Sequence, residues 1–197
     1  MKRIASFLFS GMLTLSVFAG GGEKTTYKIQ NKLSSVEWIG QKITGSHEGT
    51  IMIKEGAIMV EEGKLVEAAI AIDMNTISVT DIKDEKQRAK LRGHLTSDDF
   101  FGVEKYPFSK FVVVDAESLG EDQYQITGKL EIKGTQDGIQ FPAIVKIEGN
   151  NMVIVGEVEI DRTKFGIKYG SGSFFDDLGD RAIYDNFKIK FKIAASM

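Results

Sequence analysis

Across residues 123–161, apolar and polar residues alternate with a period of two, in three runs divided by glycine- and asparagine-rich breaks. Tyr124, Ile126, Gly128, Leu130 and Ile132 form the first apolar set, interleaved with Gln125, Thr127, Lys129, Glu131 and Lys133. After a break at residues 134–138, Phe141, Ala143, Val145 and Ile147 form the second. After Gly149-Asn150-Asn151, Met152, Ile154, Gly156, Val158 and Ile160 form the third. Successive side chains of an extended chain point to opposite faces, so each run predicts an antiparallel strand with one wet and one dry face. The dry face needs cover, and no segment of helical period lies between these strands. The cover is then the rest of the same sheet, curled round. The expected fold class is all-β, a barrel with an apolar inside.

The first twenty-odd residues follow another rule. Lys2 and Arg3 precede an uncharged run at residues 4–18, then Ala19 and three glycines. A basic head, a short apolar middle and a small-residue end describe a secretory signal peptide, with cleavage after Ala19 at Val17-Phe18-Ala19. The run falls short of the roughly 20 residues that span a bilayer. The expected organisation is a signal peptide at residues 1–19 and one domain at 20–197, periplasmic or secreted, with no stable membrane insertion after cleavage. The chain has no cysteine, so neither a lipidated cysteine nor a disulfide supports it, and stability must come from the core. At 42% hydrophobic and 27% charged, with two prolines, it is a globular composition. Losing Lys2 and Arg3 takes the net charge from −3 to −5. That argues against a nucleic-acid partner, which would call for a basic patch, and more weakly against adsorption to anionic lipid surfaces.

In chain order, residues 20–26 read as a loose tail and 27–30 as a short strand. Residues 34–42 are extended, with Val36, Trp38 and Gly40 on one face. His47, Gly49, Ile51 and Ile53 alternate, and Lys54-Glu55-Gly56 reads as a turn before a strand at 57–60. A further turn at residues 61–63 leads to a strand at 65–74, with Ala68, Ile70 and Ile72 inward. Residues 81–97 lose the alternation and predict the one substantial helix, capped by Asp81, with Leu91 and Leu95 on one side and a weak point at Gly93. It would plug or flank one barrel end. A strand at residues 110–115 follows. Residues 162–182 are irregular, and in the last strand Phe187, Ile189, Phe191 and Ile193 face inward while Lys188, Lys190 and Lys192 face water.

Several of these segments together resemble the YceI-like family of exported lipid-binding proteins. They are Ser35-Val36-Glu37-Trp38, Gly45-Ser46-His47-Glu48-Gly49, the run from Leu91-Arg92-Gly93-His94-Leu95 through Thr96-Ser97-Asp98-Asp99-Phe100-Phe101 to Tyr106-Pro107, and Arg162-Thr163-Lys164-Phe165-Gly166-Ile167. The family pattern often has aspartate at the positions of Gly93 and Gly102, a departure that touches the loop more than the barrel. The resemblance implies an extended eight-stranded antiparallel lipocalin-like barrel. It also implies a long amphiphile in the interior, such as a polyisoprenoid, an isoprenoid quinone or a fatty acid derivative. A homodimer is compatible with it.

Periodicity alone leaves the interior open, because an eight-stranded barrel is either filled by its own side chains or hollow. Gly128 and Gly156, mid-strand on apolar faces, either leave room for a ligand or let a strand bend. The candidate wall consists of Trp38, Ile51, Ile70 and Ile72 from the first half. Phe108, Val112, Phe141, Val145, Ile154 and Val158 follow from the middle strands, then Phe165, Phe187, Ile189 and Phe191. Phe100, Phe101, Tyr169, Phe174 and Phe175 lie on irregular segments, as a mouth or lid or as a hydrophobic plug. Arg92, His94 and Arg162 are candidate head-group contacts, with salt bridges to Asp98, Asp99 or Asp176 as their structural alternative.

Catalytic chemistry is thinly represented. His94 and Asp98 are four residues apart, the spacing of an acid–base or metal pair on a helix, or of a structural histidine. No third ligand spacing marks a metal, and there is no cysteine nucleophile and no G-x-S-x-G. Gly170-Ser171-Gly172-Ser173 lacks the strand–loop–helix setting of a phosphate cradle. Asp176, Asp177 and Asp180 lack the spacing of an EF-hand. Three readings follow: a non-enzymatic binder, store or transporter of lipid without other cofactor, an enzyme acting on such a lipid through His94 and nearby aspartates, and a filled-barrel stress or structural protein.

Overall fold

Among the described residues, nine strands, each antiparallel to its neighbours, form one sheet whose two ends meet. The computed structural model describes residues 23–197, so the signal peptide expected at residues 1–19 lies outside the described residues. In chain order the elements are β1 (Lys24–Ile29), β2 (Ser35–Lys42), β3 (Gly45–Glu61), β4 (Lys64–Asp73), α1 (Glu85–Thr96), β5 (Phe108–Gly120), β6 (Gln123–Ile132), β7 (Thr135–Glu148), β8 (Asn151–Asp161) and β9 (Ile183–Ser196).

The sheet closes because β3 pairs with β4 as well as with β2. Nine strands give a closed eight-strand barrel because β1 and β2 share one place in the wall. β2 pairs with the first half of β3, from Gly45 to Ile51, and β1 with its last residues, Ala57 to Glu61. Both also pair with β9. β3 is therefore a single strand of 17 residues running the height of the barrel. Lys54-Glu55-Gly56 does not turn the chain. It is a bulge, where the register against β4 shifts between Ile53 and Glu55. The extra residue swaps the inward parity from Ile51 and Ile53 to Ile58 and Val60, all buried.

Other boundaries move for similar reasons. The tail expected at residues 20–26 is strand from Lys24 onward, because β3 offers it a partner. The break expected at residues 134–138 shrinks to a two-residue turn at Lys133 and Gly134, with φ of 52° and 74°. Both residues are left-handed, which matches the twist of the flanking strands. α1 starts at Glu85, with the Asp84 side chain accepting from the Gln87 N–H at 2.8 Å. Asp81 is not the cap, and Gly93 does not break the helix.

Two ends of the barrel differ. At one, Tyr27, Val60, Tyr124, Val145, Met152 and Ala195 converge and are buried, and the Tyr27 hydroxyl donates to the Gly149 carbonyl at 3.1 Å. This end is a packed floor. At the other end, α1 and the chain on either side of it cover the gap between the first half of β3 and β5. Residues 77–81 run along β3 there: the N–H groups of Ser78 and Thr80 donate to the carbonyls of Thr50 and Glu48, each at 2.9 Å.

Candidate ligand cavity

Above the floor the barrel is hollow. A cavity of about 400 Å³ runs between the strands, within the size range of ligand pockets. Its wall is almost wholly apolar, built from the alternating faces of β2 through β9 and from Leu91, Leu95, Phe100 and Phe101. It reaches solvent beside Gln41, Lys42, Tyr184 and Asn186, where β2 ends and β9 begins. A filled barrel is thus not what these residues build.

Of the wall residues expected from sequence, Trp38, Ile51, Ile70, Ile72, Phe141, Ile154, Val158, Phe187, Ile189 and Phe191 line the cavity, as do Phe100 and Phe101. Four do not. Phe108 and Val112 are 40% and 46% exposed, on the outer face of β5. Their neighbours Ser109, Phe111 and Val113 point inward instead, a one-residue slip that exchanges the two faces of a strand. Val145 is buried in the floor, below the cavity, and Phe165 is buried as the last residue of the short turn Arg162–Phe165. Tyr169, Phe174 and Phe175 are half exposed and outside the lining.

The two mid-strand glycines have a definite use. A Cβ on Gly128 would strike the ring of Phe111, and one on Gly156 would come within 2.6 Å of the Phe191 ring. Each glycine is a seat for a phenylalanine. The seated rings flank Phe141, with centroids 5.6 Å away on either side, and the three make an aromatic row across the wall. The glycines thus shape the cavity by placing rings rather than by leaving space.

Trp38 is seated in the same manner. Its indole N–H donates to the Ser78 carbonyl at 2.9 Å, over Gly49. A Cβ on Gly49 would collide with that carbonyl and come within 2.7 Å of Trp38 Nε1. Gly49→Ala is therefore expected to cost about 2 kcal/mol, in the range for overpacking. It should also shift the emission of Trp38, the chain's single tryptophan. Thermal melts and fluorescence check both; an unchanged melting temperature would mean residues 77–81 do not press on β3.

A profile of the YceI-like domain matches residues 27–195. The chain belongs to the YceI-like family. It is 29% identical over 154 residues to a UPF0312 protein of Pseudomonas putida strain W619, covering 77% of each chain. Among solved structures it resembles BcnA of Burkholderia cenocepacia, with a TM-score of 0.69 at 23% identity, covering 85% of this chain and 99% of that one. It also resembles a polyisoprenoid-binding domain of Saccharophagus degradans implicated in plant cell wall breakdown. That match has a TM-score of 0.62 at 16% identity and covers 86% of this chain and 97% of the other. These likenesses show the fold.

Within this YceI-like barrel, the three polar candidates separate. Arg92 is not at the cavity: its Nε and Nη2 donate to the carbonyls of Ile77 and Asn75, at 3.0 and 3.2 Å, tying α1 to the segment along β3. Arg162 and His94 do line it. The Arg162 side chain is 2% exposed, and its guanidinium donates to the carbonyls of Tyr184, Ile167 and Ile183 at 2.9–3.1 Å. A fourth contact, 3.4 Å, goes to Asp185 Oδ1. Burial pulls the Arg162 pKa down, against the opposing pull of Asp185 and Asp161. The expected partners Asp98, Asp99 and Asp176 make no contact with it; Asp98 pairs with Lys105 at 2.7 Å in full solvent. The His94–Asp98 pair that acid–base chemistry requires is therefore not formed.

Sequence reasoning passed over Phe111, His47 and Asp185. His47 lies at the cavity rim with Nδ1 2.7 Å from Asp81 Oδ2. Burial raises the Asp81 carboxyl, but His47 and the Glu48 N–H outweigh it and hold it below its ordinary value. For Phe111 the signal was Gly128, whose emptiness requires a ring from a neighbouring strand. Nothing in spacing joins Asp185 to Arg162.

Proposed function

We propose that this protein binds a long amphiphilic lipid in the barrel and holds or carries it, without catalysis, in the periplasm or outside the cell. One observation carries the reading: the closed barrel encloses an apolar cavity of about 400 Å³ that is stopped at the floor and open at the other end. Such a shape admits a hydrocarbon tail and leaves the head near the mouth. Burying about ten tail carbons contributes ~8 kcal/mol, the scale of micromolar binding before association costs are counted. Membership of the YceI-like family and the polyisoprenoid named for the Saccharophagus degradans structure support a lipid of isoprenoid type. The reading of residues 1–19 as a leader supports export.

The test is to isolate the protein from its native host by cell fractionation, extract it with organic solvent and identify what is released by mass spectrometry. The expected result is a stoichiometric prenyl or acyl amphiphile from the periplasmic or secreted fraction. A protein that carries no lipid and takes up none from vesicles would overturn the reading.

A further inference from the structure

Among the described residues, the cavity wall contains one buried polar atom that the fold leaves without a partner. His94 Nε2 is buried and has no hydrogen-bond partner among the described residues. His94 lines the cavity, its ring edge-on to Phe100 and Tyr169 with centroids 5.3 and 4.3 Å away. A buried polar atom without a partner weakens the structure that holds it, and a ligand atom that meets it recovers the loss. We propose that His94 is the polar anchor of the cavity and that it selects a lipid with an uncharged, oxygen-bearing head over one ending in phosphate. This rests on the lipid-binding reading above.

The choice of head follows from the charges around His94. Among the described residues, Arg162 is the one buried cation of the lining, and most of its donors are already committed. Four of its donor contacts go to three carbonyls and Asp185, which also supplies its counter-charge. His47 is taken by Asp81. Lys42 stands at the rim, in solvent. Recognition of a phosphate draws on several converging cations or N–H donors, whereas the Arg162 guanidinium has only one N–H of its five outside these contacts. An anion placed there would shed hydration that this one N–H replaces only in small part. A neutral imidazole donates from one nitrogen and accepts at the other, so Nε2 can meet a hydroxyl or a carbonyl.

Trp38 in the wall reports occupancy by fluorescence. Three probes share a C20 branched tail: geranylgeraniol, geranylgeranyl diphosphate and the hydrocarbon phytane. The wild-type protein is expected to bind the alcohol at least tenfold more tightly than the diphosphate. His94→Leu should lower alcohol affinity about five- to tenfold and leave phytane unchanged, and His94→Gln, which keeps an amide in place of Nε2, should restore most of the loss. His94→Met serves as a second apolar variant should the leucine melt below assay temperature. Equal or tighter binding of the diphosphate, or alcohol affinity indifferent to His94→Leu, overturns the anchor while leaving lipid binding intact. Failure of all three probes to bind overturns the lipid reading, and the anchor with it.

Discussion

Ala68→Phe is expected to reduce lipid affinity about a hundredfold while leaving a folded barrel. Ala68 lies on β4 opposite Ile58, is 6% exposed and lines the cavity, so a ring grown from it enters empty space. A ring that occupies the place of three or four tail carbons forfeits about 3 kcal/mol of burial, or about two decades in affinity. The fold should tolerate the change, because overpacking costs stability only where no void receives the added atoms. Titration with a fluorescent fatty acid or prenyl probe measures the first effect, and thermal melting the second. A variant that unfolds, or that keeps its full lipid load, would show that β4 does not face a ligand space.

Arg162→Met is expected to have the largest effect on stability, lowering the melting temperature by about 10 °C. The methionine fills similar volume but strips the hydrogen bonds from the carbonyls of Tyr184, Ile167 and Ile183, which hold the start of β9 against residues 162–167. Unsatisfied buried acceptors cost about 1–3 kcal/mol each, less where water reaches them. A total of about 3 kcal/mol shifts a chain of this size by about 10 °C. Asp185→Asn should cost less, about 1 kcal/mol, because that carboxylate keeps some solvent. It should also change the pH dependence. Burial raises the Asp185 carboxyl, but the hydroxyls of Ser171 and Ser173 and the charge of Arg162 outweigh it, and its pKa lies below the ordinary value. The native form thus holds its proton less tightly than the unfolded chain, whose aspartates titrate near about 3.9. This contribution is fully present above that pH and is lost as pH falls through the native value. Wild-type melting temperature should therefore drop more steeply below about pH 4 than that of Asp185→Asn. Parallel curves would show that Asp185 does not steady Arg162.

The strands that a reader of the sequence recovers are those whose two faces differ. In β6, Lys129 and Glu131 leave no doubt which way Gly128, Leu130 and Ile132 point, and in β9 the row Lys188, Lys190 and Lys192 does the same. β5 offers no such contrast. Phe108, Phe111, Val112, Val113 and Val114 are apolar at both parities, so alternation has no phase, and the choice is made across the strand boundary by the seat at Gly128. β3 hides its continuity for another reason. Lys54-Glu55-Gly56 has turn composition, and only pairing with β4 makes it a bulge. The site shows the same division. The apolar wall was legible because burial follows periodicity. The duties of Arg92 and Arg162 were not, because both are fixed by backbone carbonyls distant in sequence.

The sharing of one wall position by β1 and β2 bears on how the molecule can be handled. Lys24 lies opposite Glu61, and Ser196 lies opposite both Lys28 and Asn151, so the outer ends of β1 and β9 sit together beneath the floor. A sensor surface coupled at the outer end of β1 or of β9 will hang the barrel upside down, with its opening turned toward the bulk liquid. Immobilised protein should accordingly accept guests as freely as protein in solution, whichever of the two strands is tethered.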